Sequence, residues 1–311
     1  MTPGLSASPV DIVRELLSYP FMLNALRAGT IVAVVAGAVG YIMVLRRESF
    51  AGHTLAVVGF PGAAGAAWLG FSPVLGYFGA GILGAGAIGL LTRPGAGAAG
   101  GGGFGEESAV IGTVQAFALA CGFLFVSLYQ GFLGGVSSLL FGTITGVTTD
   151  QVLVLLGAGV VVLVVLTVLG RPLLFASVDP ALARATGVPV RAVGVVFLLL
   201  LGIATAGTSQ VTGSLLVFAL LVAPAATATR LTTRPALGMA LSVVVAVAVT
   251  WLGEAAAYFT VYPIGFWVTT LAFAAFLAAT AWHAATDRLG RHHRAAPHPT
   301  TTIEVAAGAP G

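Results

Sequence analysis

Residues 25–45 read ALRAGTIVAVVAGAVGYIMVL and run straight into Arg46-Arg47-Glu48. The only charge in this stretch is Arg27, near its start, and about 20 apolar residues are what a helix needs to cross a hydrocarbon core of about 30 Å. Similar runs recur near residues 55–69, 74–91, 109–128, 152–169, 192–205, 213–229, 236–258 and 264–282. They are continuous rather than alternating, which excludes a β-barrel of segments of about 10 residues. Because lipid-exposed backbone must satisfy its own hydrogen bonds, the expected fold is all-α: a polytopic transmembrane helical bundle of about 9 spans, with a range of 8–10. Residues 1–22 read as an extracytoplasmic N-terminal segment, 23–285 as the membrane domain and 286–311 as a cytoplasmic flexible tail.

Composition points the same way. Hydrophobic residues make up 58% of the 311 and charged residues 7%, where a soluble chain carries about 25% charge. The net charge of +3 rests on 13 arginines with no lysine. No clustered basic face on a folded module is visible, so nucleic acid is not an expected partner. Cys121 lies inside an apolar run, cannot pair within the chain, and reads as a small packing residue. Asp11, Arg14 and Glu15 stand before the first run, unlike the short cationic start of a cleavable leader.

Arginine placement orients the bundle. With nine spans, Arg46, Arg47, Arg93, Arg171, Arg184, Arg191, Arg230, Arg234, Arg288, Arg291 and Arg294 fall on one side, against Arg14 and Arg27 on the other. Cytoplasmic flanks carry the excess of basic residues, so the N-terminus is expected outside and the C-terminus inside. Gly207-Thr208-Ser209-Gln210 reads as the break between spans six and seven, and Arg171-Pro172 as the end of span five. The glycine-broken stretch 129–150 reads as an interfacial or partly re-entrant segment, and 92–108 as a linker that lacks the strand and lysine of a phosphate loop. Glycines three apart, Gly62 with Gly65 and Gly81 with Gly84, predict close helix contacts.

Several stretches carry a family resemblance. Tyr41-Ile42-Met43-Val44-Leu45-Arg46-Arg47-Glu48-Ser49-Phe50 through Phe60-Pro61-Gly62 resembles the pattern VLRR-x-S-x-x-GD-x-x-SHA-x-x-PG of the ABC-3 group, the membrane permeases of zinc and manganese ABC importers. Leu140-Phe141-Gly142-Thr143-Ile144-Thr145-Gly146-Val147, Val178-Asp179-Pro180-Ala181-Leu182-Ala183-Arg184-Ala185-Thr186-Gly187-Val188-Pro189-Val190, and Thr212-Gly213-Ser214 through Ala223-Pro224-Ala225-Ala226-Thr227-Ala228 are similar to later segments of that group, in order. Tyr262-Pro263-Ile264-Gly265 matches its final turn, with Val261 where an acid is usual.

The resemblance implies a permease in the plasma membrane, paired with a second copy or a paralogue. It would sit on a dimer of cytoplasmic ABC ATPase subunits and be fed a divalent transition metal (zinc, manganese or iron) by an extracytoplasmic solute-binding protein. No cofactor is expected to be stably bound; the metal is cargo. A chain without lysine has no Walker lysine, so hydrolysis is expected in the partner and the chain itself is not expected to be an enzyme.

Two candidate sites follow. Asp179-Pro180 is a good helix start and Gly187 a good stop. Asp179, Pro180, Ala181, Leu182, Ala183, Arg184 and Gly187 therefore read as a short helix, which the residues alone leave open between a coupling element and a plain interfacial connector; the resemblance implies that it couples to the ATPase. In the ion pathway, the resembling family places an Asp and a His four apart, on one helix face. Here those positions hold His53 and Val57, and the family's Ser is Ala56. His53 is a weak metal ligand by itself, better in two copies; a packing role is the alternative. Glu254 lies inside the eighth run, where an acid is a functional candidate by default. Thr54, Ser209, Gln210, Thr212 and Tyr258 offer neutral oxygens.

The missing Asp–His pair keeps open a permease for a metal chelate or other small solute. An ion-coupled secondary transporter, which calls for midplane acids, has only Glu254 in its favour. His292, His293 and His298 read as surface polarity beside anionic lipid, with metal storage as the alternative.

Overall fold

The computed structural model describes residues 18–91, 103–129, 146–214 and 217–294. Among them the chain forms ten helices: α1 Pro20–Arg46, α2 Ser49–Trp68, α3 Pro73–Leu91, α4 Gly103–Leu128, α5 Thr149–Val178, α6 Pro180–Ala185, α7 Val190–Thr212, α8 Val217–Leu231, α9 Pro235–Phe259 and α10 Ile264–Arg294. Leaving aside the short α6, nine long helices match the nine expected runs one for one. Seven are long and apolar enough to cross a membrane on length and composition, α2 and α8 being the two that are not.

Several boundaries differ from expectation, among them that of α10, which continues to Arg294 and so into the segment 286–311 expected as a flexible tail. α5 continues through Arg171-Pro172 to Val178, so one interior proline, which removes a single backbone bond, does not end it. α7 runs through Gly207–Gln210 to Thr212. The hydroxyls of Thr208, Ser209 and Thr212 donate to the carbonyls of Ala204, Thr205 and Thr208, four residues back. A polar run that bonds to its own helix needs no water and stays helical. The break falls instead at Gly213, whose φ of 78° suits glycine. α4 begins at Gly103, inside the expected linker. The glycine-broken stretch at 129–150 and the Leu140–Val147 motif fall largely outside the described residues, as does the tail beyond Arg294.

α1 is the central post. Of its apolar window 72% is buried, against 11% for α4, so α1 is enclosed by the other helices and α4 lies at the periphery of the bundle. Its neighbours reach its backbone because it presents glycines to them. Gly37 lies under α9, where Ser242 Oγ donates to the Gly37 carbonyl at 2.7 Å, and Gly40 lies under the Leu221 backbone of α8. The predicted glycine contacts are present elsewhere. Gly81 of α3 meets Gly202 of α7 backbone to backbone, and Gly62 of α2 meets Gly76 of α3. In hydrocarbon such close van der Waals contact replaces the hydrophobic force between helices.

The contacts also sort the two ends of the bundle. Arg46 at the end of α1 reaches Phe197 near the start of α7. Gly238, near the start of α9, packs on the ring of Tyr41. The α1–α2, α5–α6–α7 and α8–α9 junctions, with their arginines, therefore share one end. At the other end Asn24 Nδ2 donates to Thr149 Oγ1 at 3.2 Å.

A methyl group at Gly202 would overlap the Gly81 carbonyl, whereas one at Gly79 meets nothing within 4 Å. Gly202→Ala is expected to cost about 1–3 kcal/mol, the usual penalty for overpacking, and Gly79→Ala almost nothing. Thermal unfolding of the detergent-solubilised protein followed by size-exclusion chromatography checks both.

Candidate functional site

At the arginine-rich end, α6 is a six-residue helix built by local rules. The Asp179 carboxylate accepts from the Ala181 and Leu182 N–H groups at 3.0 and 2.9 Å, and Pro180 takes the first helical position. Gly187, at φ 86°, ends it, and the Val188 N–H returns to the Ala183 carbonyl at 3.0 Å. Only Ala183 is buried, packed with Ala176 and Val190; Ala181, Leu182, Arg184, Ala185 and Thr186 are exposed. One alanine anchors the helix to α5 and α7, and the rest of its surface faces outward beyond the membrane spans. The helix start and stop lie where the sequence predicts them.

The same end of the bundle carries a charge cluster in the α1–α2 turn. The Arg46 guanidinium donates to Glu48 Oε1 from Nε at 3.0 Å and from Nη2 at 2.7 Å. These side chains are 5% and 15% exposed, and the guanidinium carbon lies 5.2 Å from the centre of the buried Phe197 ring, within cation–π range. Burial pushes the Glu48 carboxyl above the usual carboxylate range, with Arg46 opposing. Between the partners Arg47 takes the left-handed conformation, φ 60°, that a non-glycine residue adopts at a cost of roughly 1–2 kcal/mol. The sequence signal was available: an acid directly after two arginines, at the cap position of the next helix.

His53 lies one turn into α2. Its ring stands edge-on to Phe218 at 5.0 Å, and its buried Nδ1 has no hydrogen-bond partner among the described residues. Next to it Thr54 Oγ1 donates to Gln115 Oε1 of α4 at 3.0 Å, so Thr54 already has a partner in the scaffold. Among the described residues no carboxylate pairs with His53. Among the described residues no group of three or more His, Cys, Asp or Glu could hold a metal within one chain.

Glu254 is far from His53. It is fully buried on α9, over Gly29 of α1, with neither carboxylate oxygen hydrogen-bonded among the described residues. Thr250, one turn earlier, is also buried without a partner for its hydroxyl, while Trp251 Nε1 donates to Thr30 Oγ1 at 2.8 Å. Gly52, beside His53, packs on Met43 of α1. Gly29 and Met43 are 14 residues apart on α1, or about 21 Å at 1.5 Å per residue. The two candidate pathway residues thus lie at different depths. The groove between α1, α5 and α7 holds neither of them and is lined by Ile31, Val35, Leu155, Val162 and other apolar groups, with Thr208 as its one hydroxyl.

The sequence profile of the ABC 3 transport family matches residues 18–283, nearly the whole helical bundle. The chain belongs to this family. Among characterised relatives it is 32% identical over 220 residues to the manganese transport system membrane protein MntC of Halalkalibacterium halodurans, covering 71% of this chain and 73% of that one. It is 31% identical over 228 residues to the chelated iron transport system membrane protein YfeC of Yersinia pestis, covering 72% and 74%. The solved structure of PsaBC from Streptococcus pneumoniae in complex with Fab superposes with a TM-score of 0.76 at 26% identity, over 88% of this chain and 95% of that one. The all-α polytopic architecture is therefore that of an ABC transporter permease.

Two outcomes follow from this geometry. Asp179→Ala removes both capping bonds of α6 and is expected to cost about 1 kcal/mol of local stability, read as faster proteolysis at the α6 segment of the detergent-purified protein, whereas Asp179→Asn, an equally good cap, preserves it. A methyl at Gly29 would collide with the Glu254 carboxyl. Gly29→Ala is expected to lower the thermal midpoint and Glu254→Ala to restore part of the loss in the double variant, which a double-mutant cycle on detergent-purified protein measures.

Proposed function

We propose that this chain is the membrane-spanning permease subunit of an ATP-driven importer for a divalent transition metal ion, zinc, manganese or iron. In this reading the N-terminus lies outside the plasma membrane and the C-terminus in the cytoplasm. A second copy or a paralogue completes the pathway, a dimer of cytoplasmic ATPase subunits drives it, and an extracytoplasmic binding protein loads it. The observation that carries the reading is α6: a capped, exposed helix projecting at the arginine-rich end of an ABC 3 family bundle. A rigid projection held by a single buried alanine is suited to seat in a groove of a separate motor. Asp179, Pro180, Ala181, Leu182, Ala183, Arg184 and Gly187 then form the ATPase coupling element.

The metal follows from the relatives, which are named for manganese and chelated iron transport, and from His53. An imidazole nitrogen that is buried and unpaired is available to a passing cation, and two copies of the chain supply two. Imidazole suits zinc, iron, copper or nickel better than a hard ion. Glu254 serves as an acidic station nearer the other end of the route, reached when the α1–α9 seam at Gly29 parts.

A metal chelate is the second reading. The observation that favours it is the replacement of the family's acid and imidazole by His53 and Val57, which removes the charge that would strip a bare cation of its water.

Uptake into vesicles holding permease, ATPase and binding protein decides between them. With free zinc, manganese and iron and with a metal chelate as substrates, ATP-dependent accumulation of a free ion is expected. His53→Ala should lower it by about tenfold, the order expected when a metal ligand set is weakened, and Glu254→Gln should lower it as well. The double substitution His53→Asp with Val57→His, which restores an acid–imidazole pair one turn apart, should shift preference toward manganese. Accumulation of the chelate alone would establish the second reading, and uptake without any ATPase would overturn both.

A further inference from the structure

The turn between α1 and α2 has only two residues, Arg47 and Glu48, and both neighbouring helices are tied to it. The Glu48 N–H returns to the Met43 carbonyl of α1 at 3.1 Å, and the Gly52 N–H of α2 reaches the Glu48 carbonyl at 3.0 Å. Glu48 occupies the N-cap position of α2, where a carboxylate ordinarily accepts from the first free N–H groups and complements the helix dipole. It makes no such bond. Its Oε1 is drawn instead onto Arg46, and its Oε2 is buried with no partner among the described residues. The carboxylate therefore has two competing seats within reach of one side chain: the Arg46 guanidinium, which it occupies, and the open end of α2.

The other side of the cluster leads to the motor-facing helix. Phe197, which carries the Arg46 guanidinium on its face, lies two turns into α7. The four residues from Thr186 to Pro189 join α6 to α7. They are braced by the Val188 N–H to the Ala183 carbonyl and the Val190 N–H to the Val188 carbonyl at 2.8 Å, and by the packing of Ala183 on Ala176 and Val190. A displacement of α6 thus carries the start of α7 with it, Phe197 included. At the far side of the latch, His53 is five residues beyond Glu48, in the first turns of α2.

We propose that Arg46, Glu48 and Phe197 form a latch that transmits movement of α6 to the start of α2 and so sets the position of His53. This rests on the reading of α6 as the ATPase-coupling element. With Phe197 under Arg46, the guanidinium holds the Glu48 carboxylate away from α2. When α7 shifts, Arg46 loses its aromatic support, the carboxylate moves to the cap of α2, and the first turn of α2 reorients with His53 on it. The three are positioning residues; none needs to touch the cargo.

The test uses the assembled transporter in vesicles. Two quantities are measured: metal taken up per ATP hydrolysed, and the rate at which a maleimide labels His53→Cys in a Cys121→Ser background, with and without ATP plus vanadate. With the latch intact, labelling at position 53 is expected to change severalfold on trapping the motor. Phe197→Leu should abolish that change and lower metal moved per ATP by about tenfold, with ATP hydrolysis itself within about twofold. Glu48→Gln, a near-isosteric change, should do the same if Phe197→Leu fails to fold, and Arg46→Lys should not rescue coupling, since an ammonium lacks the planar fork that spans Glu48 and Phe197. Retained nucleotide dependence and retained uptake per ATP in Phe197→Leu or Glu48→Gln would overturn the latch while leaving the importer reading in place. Absence of ATP-driven uptake in the unaltered assembly would overturn the importer reading, and the latch with it.

Discussion

Close approach of helix backbones, made possible by glycine, is the constraint on which everything else in this bundle depends. Between helices in lipid there is no water to expel, so association rests on contact density. α1 supplies that density from the centre. Its Gly29, Gly37 and Gly40 admit, in turn, the Glu254 side chain, the backbone around Val243 and the Leu221 carbonyl. The same helix ends in Arg46. A single element therefore organises the packing of α8 and α9, carries the acid-bearing seam at one depth, and terminates in the charged turn at the other. Larger side chains at these glycines would push α8 and α9 outward.

Much of this was readable from the residues, for identifiable reasons. Apolar runs of spanning length have few alternatives in a chain with 7% charge, so nine long helices were legible. The ends of α6 were legible because capping is local chemistry: Asp179, Pro180 and Gly187 act on neighbours within a few residues. What was misplaced depended on competition between polar groups and helix. Gly207–Gln210 looks like a break only if its hydroxyls need outside partners, and they do not. Pro172 looks like a terminus only if one lost bond outweighs the rest of a 30-residue helix. The relation of His53 to Glu254 was not legible at all, because depth along the bundle is set by which residues of α1 each helix meets.

The Arg46–Glu48 pair shows how one short segment can serve two physical ends. As charge it marks an end of the bundle, which is how the sequence reveals it. As geometry it closes a two-residue turn with Arg47 left-handed, a conformation that persists because the ion pair and the Phe197 ring constrain both flanks. A buried pair is seldom worth its desolvation in net stability, and an apolar turn would be cheaper. Its retention in so apolar a chain is understandable where a pair must be able to exchange partners, which apolar contacts do without direction and a carboxylate does between defined donors.

Unsatisfied buried groups are unevenly distributed. The caps of α6 and the hydroxyl ladder of α7 find their partners within a few residues. Among the described residues Glu48 Oε2, His53 Nδ1, Gln210 Oε1, Ser214 Oγ and the Glu254 carboxyl have none. An orphaned polar atom in a nonaqueous interior is costly, and a fold under no other demand would replace it. Packing alone gives no reason for an acid at position 254 or an imidazole at 53, since alanine or leucine would fill either site. In the proposed importer a second copy, a moved helix or an ion in passage supplies the partners of these atoms.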